Sequence, residues 1–228
     1  MAKIRGIILF IQFTITVAIT VCAMYLFRNH THKVIKIWMK LQIKFLGIEI
    51  QTEGKLDESS DLVLMNHQSL LDIIVMEHIH NRDLAWVAKK EIADLFFFGH
   101  IIKAPRMISI DRENKAGIIH LFKEVKDRLE KNRPIAMFPE GTRSDGTKIL
   151  KFKAGAKMLA NKFKLRVQPV LILNTRNIVD SKRLEASPGI VKVIYLDPIQ
   201  ADKSTSWFEN TEDKMKKIFE DEMKKHDS

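Results

Sequence analysis

No position between Gly6 and Phe27 carries a charge, and Arg5 and Arg28 bracket that run. About twenty apolar residues are needed to cross a bilayer as a helix. This segment just reaches that length, although Gln12 and several threonines dilute it. It is longer than a typical signal-peptide core and no clear small-x-small site follows, so it is expected to be retained. The next segment has a different period. Lys33, Lys36, Lys40 and Lys44 recur at helical spacing and fall on one narrow face, with Ile35, Trp38, Leu41 and Phe45 around much of the rest. That pattern predicts a basic amphipathic helix lying among lipid headgroups; a solvated lysine face on a packed helix has the same spacing. The lysine excess after the apolar span places the main domain on the cytoplasmic side.

After Gly47 the periodicity alternates between strand and helix. Strands are predicted over 48–51, 61–65, 84–88, 107–110, 134–138, 166–173 and 191–196. Helices are predicted over 69–80, 90–98, 114–131, 154–163 and 207–225. The order implies an α/β fold: a single domain with a mixed sheet flanked by helices on both faces, preceded by an N-terminal membrane-associated helical segment. The division is expected at residues 1–46 for the anchoring helices and 47–228 for the α/β domain. Segments 144–148 and 180–187 are expected to be flexible. Phe96, Phe97 and Phe98 fit core packing better than an acyl passage or a bilayer-facing site.

Composition narrows the partners. The 228 residues carry a net charge of +10, which favours anions: nucleic acid, anionic lipid or a phosphorylated substrate. Nucleic acid fits poorly with the apolar N-terminus and the lack of basic-aromatic interleaving. Cys22 is the single cysteine, so an internal disulfide and a cysteine-rich metal site are excluded. No metal-ligand cluster is apparent, and none is expected.

Two polar stretches carry candidate chemistry. In Asn66-His67-Gln68-Ser69-Leu70-Leu71-Asp72 a histidine precedes a carboxylate by five residues, just after a predicted strand. The spacing alone means little, because His78 and Asp83 repeat it in a polar surface turn. If both His67 and Asp72 were helical, five residues would separate them by about 140° around the axis. His67 is therefore expected in the turn, Ser69 near the N-cap and Asp72 in the first helical turn. Asp72 would then accept a proton from Nδ1 and leave Nε2 as a base. A hydrogen-bonded loop histidine and a Ser-x-x-Asp cap fit the same residues.

In the second stretch, Phe138-Pro139-Glu140-Gly141-Thr142-Arg143, a glycine turn follows an apolar strand at once. Gly141 permits close backbone approach to an anion, and Arg143 offers a planar fork to phosphate. Glu140 would orient that arginine or bind a substrate hydroxyl. A turn with a surface Glu-Arg pair is the plainer alternative. Asp111-Arg112 ends another predicted strand, with Lys103 and Arg106 crowding the same approach. Asp111 reads as a structural partner for a nearby cation.

These blocks resemble the 1-acylglycerol-3-phosphate acyltransferases of the glycerophospholipid acyltransferase family. Asn66, His67, Ser69 and Asp72 meet the first block in its His-x4-Asp form, and Phe138 to Ser144 meet the third in full. The second block reads Arg106-Met107-Ile108-Ser109-Ile110-Asp111-Arg112, without the usual glycine and aromatic. A fourth, generic block falls at Val167-Gln168-Pro169-Val170. The resemblance implies that His67 is a general base oriented by Asp72, and that Arg112, Glu140, Gly141, Thr142 and Arg143 hold the glycerol phosphate end. It implies direct acyl transfer from an acyl thioester, carried on coenzyme A or acyl carrier protein, to the free hydroxyl of lysophosphatidic acid. No cofactor is expected. Ser69 lacks a nucleophile-elbow sequence, so no acyl-enzyme is expected. Glycerol 3-phosphate or another lysophospholipid is the alternative acceptor, and a non-catalytic membrane-binding protein the alternative from another class.

Overall fold

The computed structural model describes residues 2–111 and 115–227. Two long helices open the chain, α1 (Ala2–Leu26) and α2 (Thr31–Leu46). There follow β1 (Ile48–Glu53), β2 (Leu62–Met65), α3 (Leu71–Ile79), β3 (Ala85–Lys89), α4 (Lys90–Ala93), α5 (His100–Lys103) and β4 (Ile108–Ile110). Next come α6 (Lys115–Glu130), β5 (Ile135–Met137), α7 (Ala154–Phe163), β6 (Arg166–Leu173), α8 (Thr175–Ile178), β7 (Val179–Asp180) and β8 (Glu185–Ala186). The chain closes with β9 (Gly189–Tyr195), β10 (Ile199–Gln200) and α9 (Trp207–Asp227).

The main sheet has the order β1-β9-β6-β2-β5-β3-β4, with β10 on β6. Strands β2 to β6 are parallel, whereas β9 runs antiparallel to β6 and β1 follows β9, so the sheet is mixed as expected. Strand β2 lies at its centre and is buried on both faces. Successive side chains of a strand point to opposite faces. Leu62 and Leu64 accordingly join the core under α6, α7 and α9, and Val63 and Met65 join the core under α1, α2 and α3. The carboxyl ends of β2, β5 and β6 share one edge.

Helix α1 lies along the domain. Its 25 residues span about 37 Å at 1.5 Å per residue. Near its start, Arg5 Nη2 donates to Leu46 O at 2.9 Å. A Cβ on Gly6 would come within 1.9 Å of Leu184 O, so glycine is required for this approach. Near its end, Tyr25 Oη meets His100 Nδ1 at 2.6 Å. Ile4, Ile8, Ile11, Ile15 and Ile19 form an exposed outer stripe. Helix α2 buries Ile35, Trp38 and Met39 and leaves Leu41, Phe45, Lys33, Lys40 and Lys44 outward. Lys36 departs from the expected lysine face. Its Nζ donates to Glu77 O at 2.5 Å, to His78 O at 3.4 Å and to His80 O, closing the carboxyl end of α3.

Two expectations fail locally. The helix expected over 90–98 stops after the single turn α4, and a tight bend leads on to the separate turn α5. Phe96, expected in the core, is 97% exposed, and Phe97 and Phe98 keep 37% exposure each. Three consecutive phenylalanines on one bend cannot all turn inward, and Ala93 and Ile102 already fill the interior there. Segment 180–187 carries part of the β7–β8 hairpin.

Candidate active site

His67 sits two residues past β2 and before the first turn of α3, at the sheet edge where groups in open α/β sheets commonly act. Its Nδ1 lies 2.7 Å from Asp72 Oδ2. The same oxygen accepts the Gln68 and Ser69 amides at 2.7 and 2.9 Å, so Asp72 both fixes the turn that leads into α3 and orients the imidazole. Its carboxylate is wholly buried. Ser69 Oγ accepts the Leu71 amide at 3.3 Å and donates to Val179 O at 2.7 Å. Asn66 fixes the turn from below: its side chain exchanges bonds with Ile172 of β6 at 2.9 and 2.7 Å.

The glycine turn after β5 meets this histidine directly. The Phe138 ring stacks on the imidazole, with centroids 3.8 Å apart and planes 8° from parallel. The Ser144 amide donates to His67 O at 2.8 Å. Glu140 accepts the His67 amide on Oε1 at 2.6 Å and the Leu150 amide on Oε2 at 2.7 Å. Burial pushes its carboxyl up to about 7, against the pull of those two amides; the nearby Asp72 charge adds to the rise. With both oxygens engaged inside the protein, Glu140 ties the two loops together. Both of its oxygens are bonded to these backbone amides rather than to Arg143. Gly141 adopts φ +71°, which glycine tolerates best. Thr142 and Arg143 are exposed beyond it. Arg143 Nη1 reaches Ser181 Oγ at 3.3 Å. Desolvation by the surrounding loops lowers its pKa; Asp72 opposes that and Arg176 adds to it. A guanidinium remains cationic at neutral pH. An apolar cavity of about 130 Å³ opens beside the histidine turn, lined by Leu9, Phe13, Leu70, Leu71, Ile74 and Val179 among others.

The model of the Acyltransferase family matches residues 47–173, a span that holds both polar stretches. A 1-acyl-sn-glycerol-3-phosphate acyltransferase of Helicobacter pylori is 42% identical over 175 residues, 76% of this chain and 74% of that one. The chain belongs to the acyltransferase family. A lyso-ornithine lipid O-acyltransferase of Brucella abortus is 32% identical over 60% of this chain, an alignment spanning 54% of that relative's own length. The crystal structure of the 1-acyl-sn-glycerophosphate (LPA) acyltransferase PlsC of Thermotoga maritima superposes with a TM-score of 0.77 at 24% identity, covering 100% of this chain and 98% of that one. That likeness is one of fold and includes the two leading helices.

Within this acyltransferase the motif reading included Phe138 without its role and passed over Thr175 and Arg176. Phe138 supplies the stacking face, and its place beside His67 follows from β5 pairing with β2. Thr175 Oγ1 donates to Asp72 Oδ1 in a short bond and lies 3.3 Å from Gln68 Oε1. Arg176 follows it, held by Asp180 at 2.8 Å. Thr175 and Arg176 follow the mostly apolar strand β6 after a single residue, Asn174, a signal of the same kind that singled out His67 and Arg143. Arg112 lies outside the described residues. Lys103 and Arg106 precede β4 and belong to the opposite sheet edge; they do not crowd this site. The Arg106 carbonyl is held there by Arg128 Nε at 2.7 Å. Asp111 meets Lys90 at 3.7 Å, the structural role expected of it. Asp83 pairs with Arg133 at 2.8 Å instead of with His78.

Proposed function

We propose that this protein is a 1-acyl-sn-glycerol-3-phosphate O-acyltransferase, moving an acyl chain from a thioester to the free 2-hydroxyl of lysophosphatidic acid to give phosphatidic acid. One observation carries the reading: the imidazole held on buried Asp72 has its own backbone bonded to the glycine turn that presents Arg143. The bonded loops support a reading in which this base and this cation act on one substrate. In the proposed step His67 Nε2 takes the hydroxyl proton as the oxygen attacks the thioester carbonyl. The carbon–sulfur bond then breaks, and the thiolate leaves with the electron pair and takes up a proton. Asp72 stabilises the imidazolium while it exists. Arg143 grips the phosphate, together with Arg112 as the family resemblance implies. The backbone at Gly141 and Thr142 completes that end.

The co-substrate is an acyl-CoA or acyl-carrier-protein thioester, and the reaction calls on no cofactor. The apolar cavity beside Leu70 and Leu71 takes part of an acyl chain. The outer stripe of α1, with Lys33, Lys40 and Lys44 beside it, seats the catalytic edge in a phospholipid bilayer, on the cytoplasmic face by the lysine excess. A donor-by-acceptor assay tests the reading. Wild type should acylate lysophosphatidic acid in preference to glycerol 3-phosphate or other lysophospholipids. His67→Ala should lose transfer by at least about a hundredfold with folding and vesicle binding intact. Substantial turnover by that variant would remove His67 as the base.

A further inference from the structure

We propose that the bend between α4 and α5 is a second membrane-contact element, seated in the same anionic bilayer surface as α1; this deepens the membrane-seated reading above. Phe96 is 97% exposed, Leu95 50% and Ile92 43%, with Phe97 and Phe98 beside them. A contiguous exposed apolar patch of this kind marks an interaction site. The bend is built to hold its rings outward. The Gly99 amide bonds Leu95 O at 2.9 Å and the Ile101 amide bonds Phe98 O at 3.1 Å. A Cβ on Gly99 would come within 2.1 Å of Ala93 O, so the backbone is closed tightly on itself.

Position chooses the occupant. The bend extends the outer stripe of α1 past its carboxyl end, where Ile19, Leu26 and Phe27 are exposed. Tyr25 bonds His100 and meets its ring edge-on at 5.5 Å, which joins the two apolar surfaces. Arg28 lies 5.9 Å over the Tyr25 ring, and Lys89 and Lys90 stand exposed where the bend begins. Glu91 and Asp94 are exposed on the same bend and Lys90 pairs with Asp111, so it is the protruding aromatic tip, continuous with the apolar stripe of α1, that suits fluid lipid. A single acyl chain calls instead for an enclosing recess.

The test uses the full-length protein and phosphatidylglycerol vesicles. Phe96→Trp should report insertion: its emission shifts to the blue with vesicles and is quenched by lipids brominated on their chains. The native tryptophans, Trp38, Trp86 and Trp207, are buried and should respond little. Phe96→Ser should weaken vesicle partition about tenfold or more, the loss expected for one buried phenyl ring. Its kcat/KM toward a short-chain lysophosphatidate in free solution should stay unchanged. Solvent-like emission of Phe96→Trp on vesicles overturns the proposal. So does unchanged partition of Phe96→Ser accompanied by an altered acyl-chain preference, or by loss of a concentration-dependent dimer. If wild type acylates no acceptor, the proposed function fails while the fluorescence result stands by itself.

Discussion

Glu140 offers the sharpest test of the tie between the two loops. Its carboxyl is buried and pushed up to about 7 from an ordinary 4.5. Between those values the folded protein binds more protons than the unfolded chain, so stability must fall as pH rises. The contribution is fully present below about pH 4.5, declines through the interval, and is gone above about pH 7. The span corresponds to about 3 kcal/mol, an upper figure because solvent reaches real interiors. Glu140→Gln cannot titrate. It also leaves one of the two amides, His67 or Leu150, facing an NH2 group. The variant should therefore be less stable overall but show a flatter dependence between pH 4.5 and 7. Urea denaturation midpoints of both proteins, taken at half-unit steps across that range, measure the difference. Parallel curves would show that Glu140 is not held in the environment described, and that the loops are joined by other means.

Thr175→Val should leave Asp72 Oδ1 without its donor in a site closed to water, lowering stability by about 1–3 kcal/mol. It should lower kcat with little change in acceptor KM, and Thr175→Ser should restore both; a Ser variant as impaired as Val would refute the hydroxyl's role. Arg143→Ala should raise the apparent KM for lysophosphatidic acid about tenfold or more, with a smaller effect on kcat. An unchanged KM in steady-state assays takes Arg143 out of the phosphate site. Lys36→Met should cost about 1.5–3 kcal/mol in thermal or urea unfolding, because three carbonyls at the end of α3 lose their donor. A loss within about 0.5 kcal/mol would mean that water serves those carbonyls equally well.

The central strands and the histidine turn were legible because their constraints are local. Leu62 to Met65 is an unbroken apolar run, and helical geometry forbids His67 and Asp72 from meeting unless the histidine precedes the helix. Thr175 was not legible. It stands 103 residues from Asp72 and reaches it only because β6 pairs with β2. Glu140 stood out as a polar residue of the turn, but its partners are backbone amides, which sequence does not distinguish. Periodicity gave the lysine face of α2 without saying what would cover it, so Lys36 read as a headgroup contact. Exposure of Phe96 was missed for a related reason: hydrophobicity does not distinguish a side chain facing the interior from one facing lipid.

The fastening of α2 to the rear of α3 makes the leading helices part of the catalytic framework. Asp72 stands at one end of a nine-residue helix, and Lys36 grips the other. Trimming the chain at Gly47 to obtain a water-soluble fragment would strip the cover from Val63, Ile74 and Val75 and release the rod on which the carboxylate is mounted. Such a fragment should be a damaged enzyme, and not merely one that has lost its way to the bilayer.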